Sequence, residues 1–175
     1  AAASGALTRE QKPPYISLLA SLANEHPDFN LADYRRGIVE QNWDTLLHCD
    51  FRRADVRAKL HDQITADDLR PSSDAATQIL RGYLQKMSLP QTPATAPMLV
   101  IFGDQDQFIP VASTDRALAA ACSMGDVIDI QRQPGKGHAD LDLAAAVPWI
   151  KDRFNGAPVT NSCAAPAPEA LPEGA

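Results

Sequence analysis

The stretch MLVIFGDQDQFIP, residues 98–110, constrains the fold of this chain more than any other. Met98 to Phe102 is a continuous apolar run, the pattern of a strand covered on both faces in a parallel sheet. Gly103 ends the run, Asp104 and Asp106 follow it, and Pro110 closes the segment. Open α/β sheets bind ligands just beyond the carboxyl ends of their strands, so two carboxylates placed there are candidates for chemistry.

The residues that follow continue the same grammar. Ser113 is an expected N-cap for a helix running through Ala121, and Gly125 an expected stop. VIDIQR, residues 127–132, alternates apolar and polar, which suits a less buried edge strand. Pro148 fits the first position of a last helix, PWIKDRF, closed by Gly156. Strand, helix, strand, helix is the expected order.

The first half reads differently. Tyr15, Ile16, Leu18, Leu19 and Leu22 form one helical face that Pro27 ends. A second helix is expected from Leu31 towards Cys49, with Tyr34, Ile38, Trp43, Leu46 and Leu47 as its apolar contacts. Shorter helices are expected around Val56 to Ile64 and from Ser73 to Met87, and no strand pattern occurs here. LPQTPATAP, residues 89–97, is a proline-rich connector. AAPAPEALPEGA, residues 164–175, lacks apolar periodicity and reads as a disordered, solvated tail. The expected organisation is a helical region over 1–90, an α/β part over 91–163 and a tail over 164–175.

Composition narrows the function classes. A net charge of −6 over 175 residues, with no large Lys/Arg cluster, argues against a nucleic-acid partner. No apolar run approaches the roughly 18 to 20 residues of a transmembrane helix. No basic start precedes an apolar segment, so a signal peptide is expected to be absent or already removed. Cys49, Cys122 and Cys163 lie far apart, and no Cys/His spacing suggests a metal site. No metal or organic cofactor is expected.

His138 stands in QPGKGHAD, at the end of the second strand, on a loop loosened by Gly135 and Gly137. An acid after one strand and a histidine after the next is the order that an α/β-hydrolase triad needs for its last two members. The carboxylate fixes the imidazole tautomer, and the imidazole takes the proton of a nucleophile. A loop aspartate more often shapes a turn, and a single histidine is more often structural. His26, His48 and His61 read that way; His138 and the aspartates differ in sharing the strand ends of one βαβ unit.

GDQDQFIP resembles the G-x-x-D-x-x-[VI]-P motif after the seventh strand of α/β-hydrolases, which selects Asp106 over Asp104 as the triad acid. GKGHADL resembles their histidine loop. Residues 97–163 resemble the C-terminal part of the secretory lipase family, a lidded group. The features carrying this are the strand and loop from Pro97, Cys122 with Gly125, His138, Trp149 through Arg153-Phe154, Gly156, Pro158 and Cys163. Residues 1–90 match more loosely and would correspond to the helical lid.

The resemblance implies an exported serine hydrolase, a lipase or carboxylesterase acting on esters or acylglycerols, with Asp106 and His138 as catalytic residues. Yet the chain has no G-x-S-x-G elbow, and Ser4 is its nearest imitation. The expected partner is therefore an N-terminal hydrolase segment, separate or cleaved from the same precursor, that brings the serine, the oxyanion hole and the rest of the sheet. Cys122 and Cys163 could bridge locally, leaving Cys49 for a thiol in that segment; the alternative is three reduced core thiols. The rival functions are a lidded serine peptidase, an acyltransferase, or a non-catalytic partner-binding module on a degenerate hydrolase scaffold.

Overall fold

The structure, a computed structural model, describes residues 2–163; the tail expected over 164–175 lies outside them. The chain divides into two compact units, the first ending at Ser88 and the second beginning at Leu89. One is helical and the other is α/β.

The first unit opens with α1, Lys12–Glu25, whose apolar face buries Tyr15, Ile16, Leu19 and Leu22. The single helix expected from Leu31 to Cys49 is broken. A 3-10 turn at Leu31–Asp33 precedes two five-residue helices, α2 (Gly37–Gln41) and α3 (Trp43–Leu47). Local hydrogen bonds cause the breaks. Asn30 caps the turn through the Ala32 amide, and extended Arg36 donates its amide to Asp68 O at 3.0 Å. Gly37 adopts φ +51°, where a side chain would meet the Asp68 carboxylate.

Two helices follow, α4 (Ala54–Gln63) and α5 (Ala66–Leu69). The short α5 is fixed by a capping box in which the Thr65 amide and hydroxyl donate to Asp68 Oδ2 at 2.8 and 2.7 Å. It has too few apolar positions to register as a period. The last helix of the unit, α6 (Asp74–Met87), starts from the Ser73 cap as expected. One core binds these helices: Ile16, Leu19, Tyr34, Val39, Leu69 and Leu80 are almost completely buried, and Tyr34 donates its hydroxyl to Ala76 O at 2.9 Å.

In the second unit β1, Met98–Gly103, pairs in parallel with β2, Ile128–Gln133, with Met98 opposite Ile128 and Gly103 opposite Gln133. Between them runs α7, Val111–Ser123, and after them α8, Ala146–Phe154. Both helices begin earlier than expected. Pro110, not Ser113, is the cap of α7, and its carbonyl receives the Ser113 amide at 2.7 Å. Pro148 is the third residue of α8, still within the first turn, where a missing amide costs no helical bond.

Complete cover of β1 is not realised among the described residues. Met98 to Ile101 are half-buried, and only Phe102 and Gly103 are buried. Met98 and Val100 line an apolar groove of about 360 Å³ beside α7, with Leu118 and Ala121. Leu99 and Ile101 line another of about 370 Å³ beside α8, with Trp149 and Ile150. Each helix covers one face in part.

The outer edge of β2, read from the sequence as a less buried edge strand, is bonded. The Ser162 amide donates to Ile128 O at 2.7 Å, the Ile130 amide to Ser162 Oγ at 3.0 Å, and the Ile128 amide to Asn161 Oδ1 at 3.3 Å. A disulfide between Cys122 and Cys163, with Cα atoms 5.1 Å apart, ties this segment to the end of α7. Cys49 is a free, exposed thiol.

Candidate active site

The two strand ends converge because glycine lets them. A Cβ on Gly103 would lie 2.0 Å from Lys136 O and 2.5 Å from its carbonyl carbon, so only glycine allows the loop after β2 to rest on the end of β1. Backbone bonds then join the loops: the Asp104 amide donates to Gln133 O at 3.2 Å, and the Gln105 amide to Lys136 O at 2.9 Å.

Asp104 and Asp106 take different parts. Asp104 Oδ1 receives the Gly135 amide at 2.7 Å, which braces the histidine loop. Asp106 Oδ1 receives the amides of Phe108 and Ile109, both at 2.8 Å, and so shapes the turn leading into α7. Its second oxygen, Oδ2, lies 3.0 Å from His138 Nδ1. One oxygen of this aspartate thus shapes the turn while the other lies against the imidazole.

Electrostatics favour the ionised pair partner. Burial pushes the Asp106 carboxyl up, but the Ile109 amide, the His138 ring and the Phe108 amide together hold it below the ordinary carboxylate range. An ionised carboxylate only accepts, so Nδ1 donates to it, which leaves Nε2 as the acceptor whenever the ring is neutral. The Asp106 side chain is 8% exposed while that of His138 is 48% exposed, so a fixed acid lies beneath a reachable base. Phe108 packs against the imidazole with ring centroids 4.6 Å apart. Its place two residues after Asp106 carries no separate sequence signal, and the pattern of residues did not single it out. Such a pair can accept a proton from a hydroxyl and return it to a leaving group.

The profile of the secretory lipase family matches residues 15–162, across both units. The chain belongs to the secretory lipase family. It is also similar to a protein of Arthroderma benhamiae described as Lipase A, 29% identical over 87 residues. That match takes in 48% of this chain and 19% of the relative, so the chain spans about a fifth of that curated protein's length. No solved structure matches it.

The remaining histidines of this secretory lipase family member have local roles. His26 packs against Tyr83 with tilted rings whose centroids lie 4.4 Å apart, His48 Nδ1 receives the Asp50 amide at 3.1 Å, and His61 is buried in the helical unit. Among the described residues no group of His, Cys, Asp and Glu could hold a metal ion, and no helix is long and apolar enough to cross a membrane.

Proposed function

We propose that this chain is the lid and acid/histidine-bearing part of a secreted serine hydrolase that cleaves carboxylic esters or acylglycerols. The observation that carries the reading is the Asp106–His138 pair, 3.0 Å apart and presented by the ends of consecutive parallel strands. Family membership and the Lipase A description of the relative agree with it. Residues 1–90 would form the lid, and 91–163 the C-terminal part of a larger hydrolase sheet. The half-buried faces of β1 favour that larger sheet, since a parallel strand is stable when covered on both sides.

The nucleophilic serine and the oxyanion donors would come from a segment N-terminal to this one, because the sequence here has no G-x-S-x-G elbow. The serine hydroxyl attacks the ester carbonyl while His138 Nε2 takes its proton. Collapse of the tetrahedral intermediate breaks the bond to the alcohol, which leaves with that proton. Water then attacks the acyl-enzyme, giving its proton to His138, and the serine departs protonated as the carboxylic acid is released. Asp106 holds the imidazole in one tautomer and stabilises its cation.

The test is labelling of the full-length secreted protein by a fluorophosphonate, with p-nitrophenyl esters, a triacylglycerol and a peptide anilide as substrates. The reading predicts a label on a serine outside this chain's sequence and turnover of the esters. Turnover of the anilide alone would reassign the enzyme as a peptidase. An unlabelled, inactive protein would leave a partner-binding module as the better account.

A further inference from the structure

His138 is held through its loop, and the two limbs of that loop are fixed by different means. The ascending limb, residues 135–137, is tied to the end of β1 by Asp104 and by the bond from the Gln105 amide to Lys136 O. Gly137 is also tied within the loop, donating its amide to Asp140 Oδ1 at 2.6 Å. The descending limb reaches Asp142, and there the last residue of β2 intervenes. Gln133 Nε2 donates to Asp142 O at 2.6 Å, and the Asp142 amide donates to Gln133 Oε1 at 2.8 Å. One side-chain amide thus satisfies both backbone groups of one residue, imitating the bonds of a neighbouring strand. Its own carbonyl accepts the Asp104 amide, so Gln133 joins β1, β2 and the far end of the histidine loop.

We propose that Gln133 is the positioning residue for His138, closing the loop 134–141 so that the imidazole meets Asp106 on one side and a reacting hydroxyl on the other. The proposal rests on the reading of His138 as the general base. Glutamine suits the task for a chemical reason: only an amide offers a donor and an acceptor in one plane at the spacing of a peptide group. A carboxylate would face the Asp142 carbonyl with no proton to give, and an apolar side chain of equal length would leave both Asp142 groups without this partner. The loop would keep its β1 ties but lose its return anchor, and a base displaced by about 1 Å loses on the order of 100-fold in rate.

The experiment uses the full-length enzyme and a p-nitrophenyl ester, comparing Gln133→Ala, Gln133→Met and His138→Ala. Each Gln133 variant is expected to lower kcat by about 10- to 100-fold with KM changed less than about twofold. The downfield proton resonance of His138 Nδ1–H should broaden or vanish in both, at melting temperatures close to the parent's. Gln133→Met keeps the volume, so it decides the matter alone if Gln133→Ala does not fold. Full kcat in Gln133→Met would show that the side chain only fills space, and full kcat in Gln133→Ala would show that the loop needs no anchor; either overturns the proposal. His138→Ala separates the two levels: turnover surviving in that variant defeats the reading of the site itself, whatever Gln133 does.

Discussion

The Asp104 carboxylate receives the Gly135 amide at 2.7 Å, while its neighbour two residues on, Asp106, receives the His138 ring at 3.0 Å. Two carboxylates of one loop thus bear on the same histidine, Asp104 through the Gly135 amide of its loop and Asp106 directly. Asp106→Asn should lower ester turnover by orders of magnitude, because an amide cannot stabilise the imidazolium and favours the wrong tautomer. Asp104→Asn keeps an oxygen for the Gly135 amide and should cost only a few-fold. Steady-state kinetics of both variants in the full-length enzyme decide this, and the reverse order would exchange their roles.

Gly103→Ala is expected to be severe for its size. The added methyl would lie 2.0 Å from a backbone carbonyl that two loops hold in place, so the loops must separate. Overpacking of this kind costs about 1 to 3 kcal/mol, and here it also moves His138 away from the end of β1. Thermal melting and ester turnover should fall together. A variant with parental values of both would show that the loops yield freely.

How far these relationships can be read from residues alone depends on their range. The apolar run 98–102 with its glycine and aspartates, and the histidine between Gly135 and Gly137, mark strand ends because the signal is local. Choosing Asp106 over Asp104 needed the family motif, since both are loop carboxylates two residues apart. The helical break at Gly37 was not legible: it depends on Asp68, thirty-one residues away, and periodicity carries no trace of such a partner. The same holds for Ser162 covering the edge of β2, where an alternating strand looks free until a distant segment pairs with it.

That segment gives a further test. Replacing Cys122 and Cys163 together by serine opens a loop with a sequence separation of 41 and should cost about 4 kcal/mol by the chain-entropy account. It also frees Asn161 and Ser162 to leave β2, exposing a strand edge that favours self-association. Denaturant titration and light scattering of the double variant read the two effects. Unchanged stability with no association would mean that Asn161 and Ser162 hold the edge without the bridge.

The helical unit should respond to acid through His61. Its ring is buried, Nδ1 finds no hydrogen-bond partner among the described residues, and the cations Lys12, Arg57 and Arg9 surround it, with Asp62 as the opposing anion. Burial and then those cations push its pKa below the ordinary 6.5. A depressed folded-state pKa contributes stability that is full above the unfolded value and is lost as pH falls through the folded one. Between about pH 7 and pH 5 the parent should therefore lose more stability than His61→Leu. Melting curves across that range measure the difference, and parallel pH profiles would remove His61 from the account.

The most direct measurement of the central claim is the rate of ester hydrolysis by the full-length protein carrying His138→Ala, with circular dichroism to show that it folds. If Asp106 orients His138 and His138 moves the proton, kcat falls by about 10⁴- to 10⁶-fold while the melting temperature stays near the parent's. A folded variant that retains turnover within about tenfold of the parent would contradict the account.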